Sequence, residues 1–230
     1  MPKIIVESQK IPTKTYYLLI VDSSSSMTSL TDTTISGVNE QIDSIKQLEK
    51  EFPDQEYVMD FIHFNSNVTV AYTDKKASLL EHINNDSYKC FGMTALLDAM
   101  GKGIQDLNSR IQKEIESGDA SAVVVIITDG EENSSHTFDG KKIKSIIEEL
   151  QNTGRWTFTF VGANIDSITT AQNYGINLKN VMSFSADSSS NTRVYGAMSK
   201  SMKVRAAGMS GGSYSSEDFL ADEDKDVSTK

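Results

Sequence analysis

Tyr16-Tyr17-Leu18-Leu19-Ile20-Val21-Asp22-Ser23-Ser24-Ser25-Ser26-Met27 decides the fold of this chain and, with it, the chemistry. Its first half is continuously apolar, rich in aromatic and β-branched residues, and ends at Asp22. That pattern predicts a strand buried on both faces, as in a parallel sheet. Its second half offers a carboxylate and two hydroxyls at alternate positions, Asp22, Ser24 and Ser26, in the loop leaving the strand. Read alone, the run fits a serine-rich turn with an Asp cap as well as a set of hard oxygen ligands.

Outward from this strand, residues 33–51 place Ile35, Val38, Ile42, Ile45 and Leu48 at intervals of three and four, which predicts an amphipathic helix ended by Phe52-Pro53-Asp54. Residues 57–64 read as a second strand. Asn65-Ser66-Asn67 is a tight turn into a third, residues 68–72, so these two form an antiparallel hairpin with the third at a sheet edge. A short helix is expected at 77–83. A long helix opens at Thr94, with Leu97, Met100, Ile104, Leu107, Ile111 and Ile115 on one face. Residues 122–127 are the most apolar strand and belong at the centre. Helix 141–150, strand 156–161, helix 165–174, strand 180–184 and helix 191–205 complete the alternation.

Strands alternating with helices define an α/β fold with a mainly parallel sheet. Ligands of such sheets sit beyond the carboxyl ends of the strands, where the strand order reverses. Asp22 follows the first strand, Asp129 follows the central fourth strand in Thr128-Asp129-Gly130, and Thr94 lies in Gly92-Met93-Thr94 at the start of the intervening helix. Three polar segments therefore fall at one edge.

Composition narrows the function classes. The net charge of −10 argues against a non-specific nucleic-acid binder or a binder of anionic membranes, both of which need basic surface. One cysteine, Cys90, excludes an internal disulfide, and neither a signal-peptide core nor a run long enough to cross a bilayer is present, so the cytosol is the expected compartment. The domain is expected over 14–207, after an N-terminal extension at 1–13. Gly208-Met209-Ser210-Gly211-Gly212-Ser213 has linker composition, and 208–230 is expected to be a flexible, acidic tail.

The hydroxyls of Ser24 and Ser26 can share one side of an extended loop. A hard cation such as Mg²⁺ takes about six oxygens near 2.1 Å and keeps several waters. Asp22 and Asp129 can supply charge directly or through those waters, and Thr94 can approach from a third segment. Two carboxylates among three neutral hydroxyls leave the cation electrophilic enough to accept a further carboxylate from a partner.

Asp22-x-Ser24-x-Ser26, Thr94 and Asp129, in the settings Asp-Ser-Ser-Ser-Ser-Met, Gly92-Met93-Thr94-Ala95-Leu96 and Ile126-Ile127-Thr128-Asp129-Gly130-Glu131-Glu132-Asn133, resemble the five-residue metal-ion-dependent adhesion site of von Willebrand factor A domains. The element pattern over about residues 14–205 is similar to that domain. The resemblance implies a Rossmann-like, doubly wound sheet of six strands in order 3-2-1-4-5-6, strand 3 antiparallel, with helices on both faces. It implies Ser24 and Ser26 as direct ligands, Asp22 and Asp129 acting largely through water, and Thr94 in either mode. The cation would be Mg²⁺, with Mn²⁺ or Ca²⁺ as alternatives. Within the family the chain is more similar to the compact, cysteine-poor cytoplasmic proteins of bacteria and phages, including the tellurite-resistance-associated type, than to extracellular adhesion domains. The function implied is non-enzymatic: an adaptor or assembly factor whose metal coordinates an acidic residue of a protein partner.

Other readings stand beside this one. A Mg²⁺-dependent hydrolase would need a general base, for which His136 and Glu131 are the candidates, and a structural component of a larger particle would use the metal only to hold loops together. A serine nucleophile lacks the G-x-S-x-G elbow. Glu131 and Glu132 are expected to form a solvated rim that tunes partner choice. Cys90 reads as a structural thiol. One of Glu217, Asp218, Asp222, Glu223, Asp224 or Asp226 could reach a metal site, its own or a neighbour's, with Phe219-Leu220 as an apolar anchor.

Overall fold

Alternation along one strand organises the molecule. In β1 (Lys14–Asp22), Tyr17, Leu19 and Val21 enter one core, while Tyr16, Leu18 and Ile20 enter another on the opposite face of the sheet. The computed structural model describes residues 10–163, 166–184 and 188–220. Its strands continue as β2 (Glu56–Phe64), β3 (Val68–Lys76), β4 (Ala120–Thr128), β5 (Trp156–Ala163) and β6 (Val181–Phe184). They form a six-stranded sheet in the order β3-β2-β1-β4-β5-β6, parallel except for β3. The fold is Rossmann-like, with helices on both faces.

α1 (Thr31–Glu51) and α5 (Ser188–Ser210) cover the first core, while α2 (Leu96–Glu116), α3 (Gly140–Gln151) and α4 (Ser167–Asn173) cover the second. All of β4 is buried, in keeping with its apolar run Ala122–Ile127. Each large apolar side chain so buried contributes roughly 1.5–3 kcal/mol relative to exposure. α1 and α5 meet closely at Gly37, where a Cβ would stand 2.0 Å from the Tyr195 ring, and Gln41 Nε2 donates to Tyr195 O at 2.9 Å.

β3 is an edge strand with mostly exposed side chains. It runs to Lys76, beyond the expected end at residue 72, because Asp60 Oδ1 accepts the Asp74 N–H and Asp60 also pairs with Arg110. The helix expected at 77–83 is a single 3-10 turn, Ala77–Leu79. After it the chain becomes extended at Leu80, and Asn39 binds the Ile83 backbone through both its amide groups.

The described part of the tail departs from its linker composition. α5 continues to Ser210, and Phe219 and Leu220 are 4% and 2% exposed, joining the core beneath α1 and α5. Asn180 Oδ1 accepts the N–H groups of both residues, Asn180 Nδ2 donates to Glu217 O, and Thr157 Oγ1 donates to Ser216 O. Composition reports that this segment has no core of its own; it cannot report a groove in the body that two side chains fill. Thr157 and Asn180 lie at the amino-terminal ends of β5 and β6, so Glu217 and Asp218 sit at the edge opposite Asp22 and Asp129 and do not approach them. Residues 1–9, Ile165 and the tail acids Asp222, Glu223, Asp224 and Asp226 lie outside the described residues.

Candidate metal centre

The carboxyl ends of β1 and β4, adjacent in the sheet, bring Asp22 and Asp129 to one edge. Asp22 is fully buried. Its Oδ1 accepts the Ser24 N–H at 2.7 Å, which curls the serine loop back over the strand end, and its Oδ2 accepts the Thr128 hydroxyl at 2.6 Å. Ser24 Oγ and Ser26 Oγ are 3.0 Å apart, and Ser26 Oγ donates to Asp129 Oδ1 at 2.6 Å. Ser23 and Ser25 act as scaffold. Ser23 Oγ donates to Phe64 O at 2.9 Å, and Ser25 N donates to Gly92 O at 3.1 Å.

Thr94 arrives on a loop fixed from three sides. Phe91 N donates to Ser23 O, Met93 N to Ser66 Oγ and Ala95 N to Asn65 O. Gly92 adopts φ +77, a conformation that strains any residue with a Cβ, and a Cβ there would lie 2.9 Å from Ser66 Oγ. Thr94 does not open the helix. Ala95 occupies the cap position and α2 starts at Leu96, whose neighbour Leu97 gives its N–H to Glu132 Oε2 at 2.9 Å. A carboxylate from another loop takes the capping role, which leaves the Thr94 side chain free to face the serines.

All five expected ligands therefore meet. A Cβ built on Gly130 would lie 3.4 Å from Thr94 Oγ1, 3.6 Å from Ser26 Oγ and 3.9 Å from Asp22 Oδ2. Oxygens from three separate loops thus lie within 4 Å of the one position that a side chain at residue 130 would take. The donors are carboxylate and hydroxyl oxygens, a set that suits a hard divalent cation; among the described residues no cluster of three or more His, Cys, Asp or Glu offers a softer site. Burial pushes the Asp22 carboxyl up to about 6, opposed by its hydrogen bonds and reinforced by Asp129. Burial also raises Asp129, opposed by the Ser26 hydroxyl. Two buried carboxylates held at a charging cost are what a bound cation would relieve.

Two supporting residues, Thr128 and Asn133, escaped the sequence reading, and a third, Glu132, departs from the solvated rim expected of it. Thr128 holds Asp22 and accepts the Gly130 N–H at 3.2 Å. Asn133 clamps Thr94 from both sides, accepting its N–H at 2.9 Å and donating to its carbonyl at 3.1 Å. Glu132 faces inward: besides Leu97, it accepts from Ser134 N, Ser135 N and Ser135 Oγ. It is therefore a structural carboxylate, and only Glu131 remains exposed as a rim. Thr128 and Asn133 adjoin Asp129 in the sequence, but a hydroxyl or amide beside a strand end is too common a feature to single out. His136 is exposed, its N–H bound to Asp98 Oδ2, while His63 lies under Ser23 with its imidazole lowered by burial.

A doubly wound sheet with a hydroxyl-rich oxygen cluster at its carboxyl edge defines the class as a Rossmann-like α/β domain with its candidate site where the strand order reverses. The von Willebrand factor type A domain matches residues 18–201, and the chain belongs to that family. In fold it is similar to a von Willebrand factor type A protein from Catenulispora acidiphila, at 12% identity and a TM-score of 0.54, over 85% of this chain and 43% of that one. It is also similar to the mussel byssus proximal thread matrix protein 1 with zinc-occupied MIDAS motif, at 16% identity and a TM-score of 0.51, over 84% of this chain and 46% of that one. The pilus adhesin SpaC from Lactobacillus rhamnosus GG, in its open conformation, gives 14% identity and a TM-score of 0.59, over 84% of this chain and 30% of that one. This chain thus spans less than half the length of each, and at these identities the likeness is one of fold. No curated protein matches the chain in sequence.

Proposed function

We propose that Asp22, Ser24, Ser26, Thr94 and Asp129 form a complete metal-ion-dependent adhesion site, and that the chain is a non-enzymatic module binding a protein partner through it. The observation that carries this reading is the convergence of Thr94, Ser26 and Asp22 oxygens beside Gly130, all within 4 Å of where its Cβ would stand. When bound, a hard divalent cation, Mg²⁺ in preference to Mn²⁺ or Ca²⁺, supplies an electrophilic position for a partner's carboxylate. The chain's own residues hold that position. Ser26 and Asp129 join the β1 and β4 loops, Asn133 fixes Thr94, and Thr128 fixes Asp22. The zinc at the MIDAS motif of the mussel protein supports the choice of ligand class.

A binding role, in place of hydrolysis, is supported by where the candidate bases lie. His136 is exposed with its backbone N–H held by Asp98 Oδ2, Glu131 is exposed along a cleft toward α4, and among the described residues neither side chain is hydrogen-bonded to any of the five ligand side chains. We place the chain among cytoplasmic bacterial and phage adaptors or assembly factors of the tellurite-resistance-associated type. Cysteine usage supports a reducing compartment: Cys90 is the one thiol, partly buried, and accepts a hydrogen bond from Thr31 Oγ1 at 3.3 Å. Among the described residues no helix is long and apolar enough to cross a membrane.

The test is an affinity pull-down with the full chain in Mg²⁺, repeated in EDTA and with Thr94→Ala. A partner retained in Mg²⁺ and lost in both controls is expected. Partners that persist through both would defeat the proposal.

A further inference from the structure

The amino-terminal edge of the sheet, opposite the five ligands, holds a buried charge without a counter-charge. Arg155 immediately precedes β5, its N–H on Thr153 Oγ1 at 3.2 Å and its carbonyl accepting from Ala122 N at 2.9 Å. The residue is 6% exposed, and its Nη1 has no hydrogen-bond partner among the described residues. In a chain with 32 acidic residues against 22 Lys and Arg, none of the described acids forms an ion pair with it. Arginine keeps its proton at any ordinary pH, so burial cannot be relieved by neutralisation. An unpaired buried cation is costly and calls for an acceptor.

The surroundings supply none. The Tyr214 ring lies 5.4 Å from Arg155 Cζ and 4.9 Å from Arg205 Cζ. A ring face eases a cation but presents no anionic oxygen. Arg205 is bonded to Ser215 O and Tyr214 Oη, so it adds a second positive charge nearby. Gly118 brings bare backbone against the guanidinium, where a Cβ would lie 2.8 Å from Nη2. Asp119 is occupied: Oδ1 takes Lys10 Nζ and Oδ2 takes Ser117 Oγ at 2.6 Å. Its carboxyl is held below the usual range chiefly by those two bonds, with Arg155 contributing least.

A cavity of about 330 Å³ opens against this group, lined by Lys10, Glu116, Ser117, Thr153 and Arg155 among others. The hydroxyls on its wall are engaged, Ser117 with Asp119 and Thr153 with Leu150 O, while Glu116 is exposed and accepts from Gln112. We infer that this cavity binds a small oxyanion, phosphate or carboxylate, through the Arg155 guanidinium, with Lys10 beside it. The planar guanidinium matches the paired oxygens of either group. The volume lies at the lower end of small-molecule sites, which suits a compact molecule bearing that group. The site stands apart from the metal centre and needs no cation.

Calorimetric titration of the full chain in EDTA tests this, with inorganic phosphate in one arm and succinate in the other, at ionic strength matched with chloride. Saturable binding at one site is expected, and the tighter arm identifies the anionic group. Arg155→Lys, which keeps the charge and loses the planar fork, is expected to weaken binding about tenfold. Arg155→Met is expected to abolish binding and leave the Mg²⁺-dependent rise in melting temperature unchanged. Without anion, Arg155→Met should also melt higher than the parent, because an unpaired buried charge has been removed. Lys10→Gln, at an exposed position, is expected to weaken binding several-fold and serves where the Arg155 variants fold poorly. Failure of the parent to saturate with either anion would overturn the inference. So would an affinity that Arg155→Lys and Lys10→Gln leave unchanged.

Discussion

The Ser26 hydroxyl donates to Asp129 Oδ1 at 2.6 Å, joining residues 103 apart in sequence across the edge between β1 and β4. This bond ties the two loops together before any ligand arrives, so the site is organised by the fold itself. Ser26→Ala is expected to cost about 1 kcal/mol in EDTA, because Asp129 loses a donor while remaining buried. The same change is expected to remove the response to Mg²⁺. In the parent protein a hundredfold excess of Mg²⁺ over its Kd adds about 2.7 kcal/mol, or roughly 5–10 °C in melting temperature for a chain of this size. A full Mg²⁺ shift in Ser26→Ala would remove this serine from the ligand set.

Gly130 separates metal binding from stability. Its φ lies outside the left-handed region, and an added methyl would make contacts of 3.4 to 3.9 Å, which is ordinary packing. Gly130→Ala is therefore expected to fold normally and to gain up to about 1 kcal/mol in EDTA, since alanine restricts the unfolded chain. The methyl would nonetheless stand against Thr94, Ser26 and Asp22. Loss of the Mg²⁺ shift with undiminished stability is the expected scanning-fluorimetry result, and a retained shift would place the cation elsewhere.

In metal-free protein the Asp22 carboxyl, raised by burial to about 6, holds a proton that the unfolded chain has released. Proton uptake on folding means that stability falls as pH rises from about 4 to about 6 and then levels off. A cation binds the deprotonated pair, so its stabilisation is expected to grow over the same window and fade below it. Melting curves in EDTA and in Mg²⁺ at about pH 5 and about pH 7.5 check both signs. Equal Mg²⁺ shifts at the two pH values would contradict the linkage, and Asp22→Asn should flatten the EDTA curve.

The sheet was legible because β1 and β4 carry short, β-branched apolar runs, 16–21 and 122–127, bounded by polar residues and alternating with helices, which fits strands buried on both faces. Asp22 and Asp129 were legible because they interrupt those runs. What escaped depends on contacts between distant segments. Thr94 resembled a helix cap, yet Glu132 from the β4 loop supplies that function, and no local pattern announces a cap borrowed across 35 residues. The tail escaped for the same reason: its partners Thr157 and Asn180 lie 59 and 37 residues from the tail groups they bind, Ser216 and Glu217.

The docked tail yields the last prediction. Phe219 is 4% exposed within the core that also holds Met198, Met202 and Ala206 of α5. Phe219→Ala is expected to cost about 3 kcal/mol from lost burial and the cavity left behind, lowering the melting temperature by roughly 6–12 °C. Truncation after Ser210 removes Leu220 and the Asn180 bonds as well, and is expected to cost more. Because this segment is held at the amino-terminal ends of β5 and β6, neither change should alter the size of the Mg²⁺ shift. An unchanged melting temperature in Phe219→Ala would mean that the segment does not pack where the structure places it. A stability loss accompanied by a lost Mg²⁺ response would mean instead that the two poles of the sheet are coupled, since no described tail residue reaches the five oxygen donors directly.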